Sequence, residues 1–569
     1  MRAKPTESAV RRPLSRPEIM RRVRSRDTAP ERDLRKALRQ RGLRYRLCDR
    51  RLPGKPDVVL PEHRLAIFID GDYWHGNQWR RRGLACLEDQ FPATGNRAYW
   101  LRKIRRNVAR DFAHTAALLR RGWRVMRLWE SEWARAPERY LDRIEDAVQQ
   151  RASSKRKRSS MSGAAYPSLA DRTVAEFFAG VGLVRLALEQ EGWRTVFAND
   201  IDPDKQEIYE RNFARDGEPS VFRLEDIHAL PAAEIPSAAL ATASFPCTDL
   251  SLAGERRGLA GRHSSAFWGF VRILDELGGR RPPLILLENV QGFLTSHGGA
   301  DFAEATAALS RLGYWLDAYL INADAFTPQS RPRVFVVGMI ERDIEGLTLE
   351  QARDERSQTR PPRLLQAIAG ATDARWRLAP APPLPGREEE TDLLGPTQAR
   401  RRSSRVARRH TLGDIVENVE SGSALWWSED RVARLLEQMT DLNRSKAESL
   451  RQGSALAYAT VFRRMRAGKS RAEIRDDGLA GCLRTPRGGS SRQILLVAGH
   501  GEIRVRLLTP RECARLQGVP DSFDLSGIGL NQALFGIGDA VCVPAVAWLA
   551  RHILDPIAAS LLRGRILEP

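Results

Sequence analysis

Short apolar runs alternate with helical patterns after about residue 172. RTVAEFFAG (172–180) is a strand-like run that stops at glycine, and LVRLALEQEGW (183–193) repeats apolar residues at helical spacing. RTVFANDID (194–202) is a second strand-like run, and it ends in acidic residues. PLILLENV (283–290) and RVFVVGMI (333–340) are typical of buried parallel strands. The alternation predicts an α/β fold with a Rossmann-like sheet.

Two polar stretches interrupt this pattern and indicate the domain organisation. Residues 149–172 are basic, rich in serine and without apolar periodicity. They predict a linker, which could also contact phosphates or act as a localisation tag in a nucleated cell. A second loop-rich break runs from about residue 343 to about 409. We therefore predict one domain over residues 1–148 and a second over residues 173–569.

The charge of the chain is strongly positive and unevenly distributed. The formal net charge is +21, which favours a polyanionic partner such as nucleic acid. Residues 1–170 contain 41 Lys and Arg against 19 Asp and Glu, whereas the remaining 399 residues contain 51 against 52. An arginine-rich genome would account for part of the excess but not for this asymmetry. Two regions with different electrostatics are therefore joined in one chain.

Cysteine use and hydropathy restrict the cellular compartment. No two cysteines have CxxC spacing, which fits a reducing cytoplasm and argues against a disulfide framework or a thiolate zinc site. No apolar run approaches about 20 residues, so we expect no membrane-spanning helix. The basic N-terminus lacks the apolar segment of a secretory signal. The six cysteines are Cys48, Cys86, Cys247, Cys482, Cys513 and Cys542.

A glycine-rich loop, FFAGVGL (177–183), joins the first strand and helix of the second domain. Gly180 and Gly182 would let a ligand approach the backbone, and the N-terminus of the following helix favours a carboxylate or phosphate. Asp200, at the end of the next strand, suits ribose hydroxyls, and Asp226 could bind an adenine amino group. An ordinary Rossmann-like domain would explain any one of these features, since such loops bind many nucleotide-like ligands.

A cysteine directly follows a proline in SFPCTDLS (244–251), among small and polar residues. A pyrimidine is methylated at C5 only after a nucleophile adds at C6, and a thiolate both adds and leaves readily. Cys247 fits that role. The reaction also needs an acid near ring N3, which Glu288 could supply. Arg331 and Arg333 offer guanidiniums for the base carbonyl, a phosphate or the acid itself.

The ordered motifs of this domain resemble those of DNA (cytosine-5)-methyltransferases. The resemblance spans about residues 172–556 and rests on a series of motifs in order. It implies S-adenosyl-L-methionine as the methyl donor and a target cytosine that is flipped out of double-stranded DNA. In chain order the motifs are EFFAGVGL, NDID, SFPCTDLS, LLENVQGF, QSRPRVFVVG, LTPRECARLQGVPDSF and GIGDAV.

The resemblance also assigns roles to individual residues. It implies that Cys247 is the nucleophile and that Glu288 contacts the N3 side of cytosine. Arg331 and Arg333 would support the base and that glutamate. The cofactor-binding positions that match are Phe178, Gly180, Gly182, Asp200, Asp226 and Asp539.

One of these positions departs from the family pattern. The family's last motif has asparagine where this chain has Asp539, which keeps an acceptor but loses the amide donor. We expect altered cofactor contact without loss of activity. The family's target-recognition segment falls here at about residues 340–480. Its basic, glycine-rich and polar side chains suit phosphates and base edges.

The N-terminal domain contains a second set of acidic residues. Glu31, Asp57 and Asp111 lie among short apolar runs and basic segments between residues 16 and 133. Acids at the ends of short strands can hold Mg²⁺, which activates water and stabilises a departing phosphate oxygen. The basic surroundings suit DNA. The residues alone therefore indicate a metal-dependent nuclease, although acids are common on any protein surface.

Several segments of this domain resemble the very-short-patch repair (Vsr) endonucleases, which have a PD-(D/E)xK-like nuclease fold and nick beside a T:G mismatch. The segments are SRDTAPE, LPGKPD, DGDYWHG, RNVARD and GWRVMRLWE. The resemblance implies that Asp57 binds the metal and that Ile69 offers its backbone carbonyl to it. Glu31 and His75 would assist catalysis, and Asp111 would support the site.

A pair of aromatic residues in the same segment has two interpretations. Tyr73 and Trp74 match the aromatic wedge with which the family enters the duplex beside the mismatch. Alternatively, they form an aromatic pair in the core of the domain.

The N-terminal domain departs from the Vsr pattern in two places. A family histidine next to the metal-binding carbonyl is Asp70 here. Some members of the family bind a structural zinc. At the positions of their zinc ligands this chain has no cysteine or histidine, so a four-coordinate Cys/His site cannot form there. We therefore expect no zinc, and packing must hold that loop instead. These positions are Asp72, Asn77, Trp79 and Ser131.

The two halves are chemically connected. Deamination of 5-methylcytosine gives thymine, so a methyltransferase creates the T:G mismatches at which a Vsr-like nuclease starts repair. The first hypothesis is therefore a bifunctional methylation and repair protein. The second is a single-chain restriction–modification or phage-defence enzyme that cleaves unmethylated DNA, and the third is a DNA-binding module with an inactive nuclease fold. We expect a cytoplasmic bacterial protein on nucleoid DNA, and no protein partner is indicated.

Overall fold

The computed structural model divides the chain into two compact units, Met1–Ser160 and Met161–Pro569. Residues 149–169 of the expected linker lie outside the described residues. The structure describes residues 27–148 apart from short gaps, 170–246, 265–340, 357–385, 410–484 apart from 467–468, and 492–563.

The first unit contains a four-stranded sheet. Its strands are β1 Arg46–Leu47, β2 Val58–Leu60, β3 Leu65–Asp70 and β4 Arg124–Trp129. They lie in the order β1-β2-β3-β4, and only the β3–β4 pair is parallel. β2 and β3 are short apolar runs and are almost completely buried, as expected for central strands.

Helices pack against this sheet through apolar faces. Helix α1, Ala29–Gln40, has proline in its first turn, and its Leu34 and Leu38 are fully buried. Both leucines share a core with Ile67 of β3. Burial of one such leucine contributes about 1.5–3 kcal/mol. Further helices of this unit are α2 Gln78–Arg81, α3 Arg97–Arg120 and α4 Glu130–Arg135.

The second unit contains a seven-stranded sheet of β5 to β11. The strands are β5 Thr173–Phe177, β6 Arg194–Asp200, β7 Phe222–Leu224, β8 Leu240–Ala243, β9 Leu284–Val290, β10 Trp315–Asn322 and β11 Pro332–Met339. Their order is β10-β11-β9-β8-β5-β6-β7, and neighbours from β9 to β7 are parallel. The predicted α/β class with a Rossmann-like sheet is confirmed.

The direction predicted for one strand is wrong. β11, which contains the run RVFVVGMI, is antiparallel to both β9 and β10. A continuous apolar run indicates that a strand is buried on both faces, but it does not indicate which way the strand points. The helices that accompany this sheet include α5 Leu183–Gln190, α6 Pro203–Phe213, α7 Ser265–Leu277, α8 Ala300–Arg311 and α9 Pro362–Gly370.

A third, antiparallel sheet lies in the expected target-recognition region and continues past residue 480. Its strands are β12 Ala457–Arg466, β13 Lys469–Arg475, β14 Ile494–Gly499 and β15 Glu502–Leu507, in the order β13-β12-β14-β15. Helices α10 Glu429–Glu437 and α11 Asp441–Arg451 accompany it. Leu435 of α10 and Val461 and Val505 of the sheet share a core of their own.

The motif LTPREC joins this sheet to the next helix, α12 Pro510–Leu516. Thr509 and Glu512 form a capping box at the start of that helix. Arg506 donates two hydrogen bonds to the carboxylate of Glu512, at 2.5 and 2.7 Å, and both side chains are fully buried. Removal of either partner would leave an unpaired charge in the core, so the motif has a structural role here.

An apolar helical run at the end of the chain was not expected. By length and composition alone Leu530–Ala559 could cross a membrane. However, 72% of its most apolar window is buried inside the protein, as expected of helices that build a core. The helices here are α13 Leu530–Asp539, α14 Val543–Leu549 and α15 Asp555–Arg563.

Candidate active sites

The glycine-rich loop leaves β5 in unusual backbone conformations. Phe178, Gly180 and Gly182 have φ angles of 57°, 56° and 86°, in the left-handed region that glycine adopts freely and phenylalanine rarely. Gly182 precedes the first turn of α5, and a Cβ there would come within 2.3 Å of Phe213. Glycine at this position lets the chain turn sharply, so that the N-terminus of α5 lies at the end of the strand.

Asp200 ties this loop to the end of β6. Its Oδ2 accepts the N–H of Gly180 at 2.9 Å, and its Oδ1 accepts the N–H groups of Ile201 and Asp202 at 2.8 and 3.1 Å. A carboxylate has about four lone-pair positions, so three such bonds leave acceptor capacity for a ligand hydroxyl. The position therefore fits the expected contact with ribose.

Asp226 lies at the same edge of the sheet. Asp200 is opposite Leu224 in the parallel pair of β6 and β7, and Asp226 follows β7 by two residues. Ile201, which directly follows Asp200, was not among the predicted site residues, and it is 58% exposed. An apolar residue inside an acidic turn is the signal that could have identified it. A flat aromatic ligand could cover this side chain.

Asp539, the departure in the last methyltransferase motif, is paired with a lysine. Lys205 Nζ lies 3.3 Å from Asp539 Oδ2, which joins the first turns of α6 to the end of α13. Burial would lower the pKa of Lys205, but the carboxylates of Asp200, Asp539 and Asp202 raise it above its ordinary value. The charge at Asp539 is therefore balanced inside the fold.

Glu288 lies on β9 and forms an ion pair with Arg333 on the neighbouring strand β11. The Nε of Arg333 is 2.9 Å from Oε1 of Glu288. Burial raises the pKa of Glu288 above its ordinary value, and the charges of Arg333 and Arg331 oppose that rise. A carboxyl group that is shielded from water and held by an arginine can exchange a proton with a ring nitrogen.

Arg331 directs its guanidinium to backbone carbonyls. It is 2% exposed and donates to the carbonyls of Leu483 at 3.0 Å, Gly538 at 3.3 Å and Ala540 at 2.5 Å. Arg331 thus joins β11 to the segment after β13 and to the end of α13. The two arginines that the sequence analysis treated alike have different surroundings, since the ion pair with the glutamate belongs to Arg333.

Cys247 lies outside the described residues, but the backbone that leads to it is described. The chain leaves β8 at Ala243, whose Cα partner on β9 directly precedes Glu288. The amide of Asn289 donates to the carbonyl of Phe245 at 3.2 Å. The chain two residues before Cys247 therefore lies beside the strand that holds Glu288.

A thiol that the sequence analysis did not single out lies beside the same arginines. The Sγ of Cys482 is 3.4 Å from Nη1 of Arg331 and 3.7 Å from Nη2 of Arg333. Burial would raise the pKa of this thiol, but the two arginines and Arg484 lower it below its ordinary value. Nothing in the residues around Cys482 indicates this contact, because it depends on the pairing of distant segments.

Asp57 stands just before β2 and faces β3. Its Oδ2 accepts the N–H of Ile69 at 2.8 Å. Burial, with a smaller contribution from the charges of Glu31 and Asp70, raises the pKa of Asp57 to about 6. A divalent cation would relieve the repulsion between these acids. Carboxylate and carbonyl oxygens are also the ligands that Mg²⁺ prefers, so the residues fit the expected metal.

Glu31 is fixed at the start of α1. Its Oε2 accepts the N–H of Asp27 and its Oε1 accepts the hydroxyl of Thr28, both at 3.0 Å. The side chain is buried, and its charge acts on Asp57. The structure therefore brings Glu31 into the same acidic cluster as the expected metal ligand.

His75 and Asp111 form a hydrogen-bonded pair. Nδ1 of His75 is 2.5 Å from Oδ2 of Asp111. Burial would raise the pKa of Asp111, but His75 and Arg127 lower it below its ordinary value. A carboxylate on one ring nitrogen fixes the orientation of the imidazole and leaves Nε2 available for proton transfer.

Asp70, which replaces a family histidine, is neutralised by Arg127. The two form a bidentate pair with both N–O distances at 2.6 Å. The ligand atoms of Asp70, His75 and Asp111 lie within 4.8 Å of one another, close enough to hold a metal. Both oxygens of Asp70 accept from the guanidinium, so a metal on this group would share that carboxylate with Arg127.

The positions of the family's zinc ligands form a hydrogen-bonded network. Oδ1 of Asp72 accepts from the amide of Asn77 at 2.6 Å and from the hydroxyl of Ser131 at 2.8 Å, and its Oδ2 accepts the N–H of Ser131 at 3.1 Å. Asp72 is 1% exposed. The side chain of Trp79 lies outside the described residues. Buried hydrogen bonds therefore hold this loop in addition to the packing that was expected.

Tyr73 and Trp74 belong to an aromatic cluster. Their ring centroids are 5.1 Å apart, and the rings are nearly perpendicular. Trp100 of α3 lies 5.9 and 6.0 Å from them, and Lys103 Nζ lies 5.1 Å from the Trp74 ring. Both Tyr73 and Trp74 are half-buried, so the cluster reaches the surface, where a basic and aromatic face suits DNA.

Comparison with protein families identifies both units. The model of the C-5 cytosine-specific DNA methylases matches residues 172–555, and the model of the DNA mismatch endonuclease Vsr matches residues 9–81. The first match covers more than half of the chain, so the chain belongs to the C-5 cytosine-specific DNA methylases.

Individual relatives extend this result to the N-terminal unit. The type II methyltransferase M.DsaV of Dactylococcopsis salina is 27% identical over 384 residues, which cover 67% of this chain and 86% of the relative. The type II nicking enzyme V.NmeDIP of Neisseria meningitidis serogroup C is 35% identical over 136 residues, 24% of this chain and 87% of the relative. V.XorIIP, a type II nicking enzyme of Xanthomonas oryzae pv. oryzae, is 41% identical over 120 residues, 21% of this chain and 82% of the relative.

Both resemblances stated from the sequence are confirmed. The protein is a cytosine-5 DNA methyltransferase with a Vsr-like nicking endonuclease domain at its N-terminal end. Its substrate is DNA.

Proposed function

We propose that the chain methylates C5 of cytosine in double-stranded DNA and that its N-terminal unit nicks the T:G mismatches that deamination of the product creates. The Glu288–Arg333 ion pair, beside the backbone that leads to Cys247, supports the first activity most directly. The acid cluster around Asp57 supports the second. Both reactions act on DNA, and we propose that they take place in the cytoplasm.

Cys247 is the proposed nucleophile of the methyltransferase. Its thiolate forms a bond to C6 of the flipped cytosine, and the electron pair moves toward C5. Glu288 holds a proton at N3, where negative charge would otherwise develop, and Arg333 keeps that carboxyl in place. Once C5 carries the methyl group, loss of the C5 proton to water expels the thiolate and restores the C5–C6 double bond, which gives 5-methylcytosine and S-adenosylhomocysteine as products.

The residues at the ends of β5, β6 and β7 are the proposed cofactor site. S-Adenosyl-L-methionine supplies an electrophilic methyl group when it is bound. Asp200 would accept from its ribose hydroxyls, and Asp226 would accept from the adenine amino group. Ile201 would cover one face of the adenine. Phe178, Gly180 and Gly182 shape the loop on which the remaining part of the cofactor rests.

Asp57 and the carbonyl of Ile69 would hold Mg²⁺ in the nuclease unit. When bound, this ion polarises the scissile phosphate. His75, oriented by Asp111, can move a proton at Nε2 to or from the reacting oxygen. Glu31 completes the acidic cluster.

Stacked arginines and tryptophans support DNA contact in the target-recognition region. The Arg431 guanidinium lies 3.8 Å from the ring centroid of Trp427, and that of Arg504 lies 4.0 Å from the centroid of Trp426. Guanidiniums held flat on aromatic rings retain N–H groups that can contact phosphates and base edges. We propose that these arginines contribute to reading the target sequence.

The test uses purified full-length protein and three matched duplexes with T:G, unmethylated C:G and methylated C:G at the same position. Transfer of labelled methyl groups and strand cleavage are measured at one salt concentration, because phosphate contacts depend steeply on salt. We expect methylation of unmethylated C:G and a nick in one strand of T:G. Cleavage of both strands of unmethylated DNA would instead establish the restriction–modification alternative. Binding of DNA without cleavage would establish an inactive nuclease fold.

A further inference from the structure

Lys205 has no part in the mechanism described above, although it lies at the cofactor loop. It is in the first turns of α6, and its side chain is 19% exposed. Its Nζ is 3.3 Å from Oδ2 of Asp539, whose side chain is 44% exposed. Its Cδ is 4.0 Å from the point where a Cβ on Gly180 would lie. The pair thus stands beside the loop and is open to solvent on the Asp539 side.

The neighbours of Lys205 explain why a cation is favoured there. The carboxylates of Asp200 and Asp202 act on it in addition to that of Asp539. Without the lysine, the carboxylates of Asp200, Asp202 and Asp539 would lose this opposing charge. Such an edge would repel any ligand that itself carries a carboxylate.

The methionine end of S-adenosyl-L-methionine is a zwitterion, with an α-carboxylate and an α-ammonium on one carbon. A cation and an anion side by side, 3.3 Å apart, offer an opposite charge to each charged group of such a ligand. In nucleotide-binding α/β folds the acid after the second strand faces the ribose, so the amino-acid end points toward the glycine loop. That is where the Lys205–Asp539 pair stands.

We propose that Lys205 and Asp539 together bind the amino-acid end of the cofactor. Lys205 contacts the α-carboxylate and Asp539 contacts the α-ammonium. The assignment rests on the proposed cofactor site. It gives Asp539 the role of an anion, which the asparagine of the family pattern could not fill, and makes Lys205 a binding residue.

A purely structural tie between helices is the competing explanation. However, α6 and α13 are also joined by Gln532, whose amide donates to the carbonyl of Asp204 at 3.2 Å and to the carboxylate of Glu207 at 2.7 Å. The helices are therefore held together without the ion pair. A structural tie would also affect every ligand of the pocket equally, whereas our proposal concerns one end of one ligand.

Two adenosine ligands separate these explanations. S-Adenosylhomocysteine has the amino-acid end, and 5′-methylthioadenosine lacks it. Their dissociation constants are measured by calorimetry with the full chain, its Lys205→Met and Asp539→Asn variants, and Arg211→Met as a control. Arg211 is on the same helix, but it pairs with Glu207 and Asp524 at 3.6 and 3.8 Å. The control therefore removes the same charge from α6 without touching the pair.

We expect Lys205→Met to raise the dissociation constant of S-adenosylhomocysteine about 10- to 100-fold, as for loss of a charge-assisted hydrogen bond. The dissociation constant of 5′-methylthioadenosine should change less than about twofold. Asp539→Asn should weaken the binding of S-adenosylhomocysteine less than Lys205→Met does, because the amide oxygen of the asparagine still accepts from the ammonium. Arg211→Met should leave the dissociation constants of both ligands unchanged.

Equal weakening of the binding of both ligands in Lys205→Met would overturn the proposal in favour of a purely structural role for the ion pair. Thermal unfolding of each variant excludes a general loss of folding. If the unmodified chain binds neither ligand, the proposed cofactor site fails, and the assignment of Lys205 fails with it. Binding by the unmodified chain with unchanged binding by Lys205→Met refutes the assignment alone.

Discussion

The two proposed active sites place a shielded carboxyl in different electrostatic surroundings. Glu288 of the methyltransferase is paired with Arg333 on the neighbouring strand, so this site contains its own cation. In the nuclease unit the nearby Arg127 is bound in bidentate fashion to Asp70, and Asp57 keeps a pKa raised to about 6. The first site contains its own cation, whereas the second, in our proposal, takes a cation from solution.

This difference predicts that the two activities can be removed separately. The acid and the cation of the methyltransferase site come from neighbouring strands of one sheet, whereas the acids of the nuclease site lie at another sheet in another compact unit. Units with separate cores usually couple weakly. The following experiments test that separation.

The largest effect is expected from Cys247→Ala. An alanine cannot add to C6, so methyl transfer to DNA should disappear while DNA binding and nicking persist. The unmodified protein should also become covalently trapped on DNA that contains 5-fluorocytosine, because fluorine blocks the final elimination. Cys482→Ser is the matched control, since it alters the thiol that lies beside Arg331 and Arg333. Trapping of the Cys247→Ala variant would refute the assignment of the nucleophile.

Asp57→Ala should produce the converse loss. Without this carboxylate the proposed Mg²⁺ site lacks its charged ligand, so nicking of a T:G duplex should fall below detection while methylation remains within about twofold. Nicking and methylation are measured in the same preparation. If both activities vanish in a folded variant, the two units depend on each other, and the prediction that the activities are separable is wrong.

An intermediate effect is expected from pH and Mg²⁺. The pKa of Asp57 is raised from 3.8 to about 6 in the folded protein, so this group favours folding at low pH, and that contribution is lost as the pH rises through about 6. Mg²⁺ should therefore stabilise the nuclease unit more at pH 7.5 than at pH 5. Calorimetric unfolding with and without Mg²⁺ tests this, and the pH-dependent part of the Mg²⁺ effect should be absent in Asp57→Asn.

The smallest effect is expected from removal of zinc. Asp72 accepts hydrogen bonds from Asn77 and Ser131 where part of the family has metal ligands. A zinc-selective chelator should leave the unfolding temperature and the nicking rate unchanged, and metal analysis should find no stoichiometric zinc. Asp72→Ala should in contrast destabilise the unit by about 1–3 kcal/mol, because buried donors lose their acceptor. Stoichiometric zinc would contradict this prediction.

Much of the fold and part of the candidate sites followed from the sequence alone. The apolar runs at β5, β6, β9 and β11 and the helical pattern at α5 are local, because side-chain periodicity reflects the backbone that forms there. The glycine loop, Asp200 and Glu288 stand at the ends of such elements. Their approximate placement therefore follows from the element boundaries, and the ordered motifs identified both families.

Tertiary structure decided the pairings and the directions. Lys205 and Asp539 are 334 residues apart in the chain, and Asp70 and Arg127 are 57 apart, so no local pattern relates their charges. The antiparallel direction of β11 and the hydrogen bonds of Arg331 to distant carbonyls likewise depend on which segments meet. A sequence specifies the chemistry available at each position through local residue types. Long-range packing determines which charged groups pair with each other, because electrostatic contacts depend on distance in space.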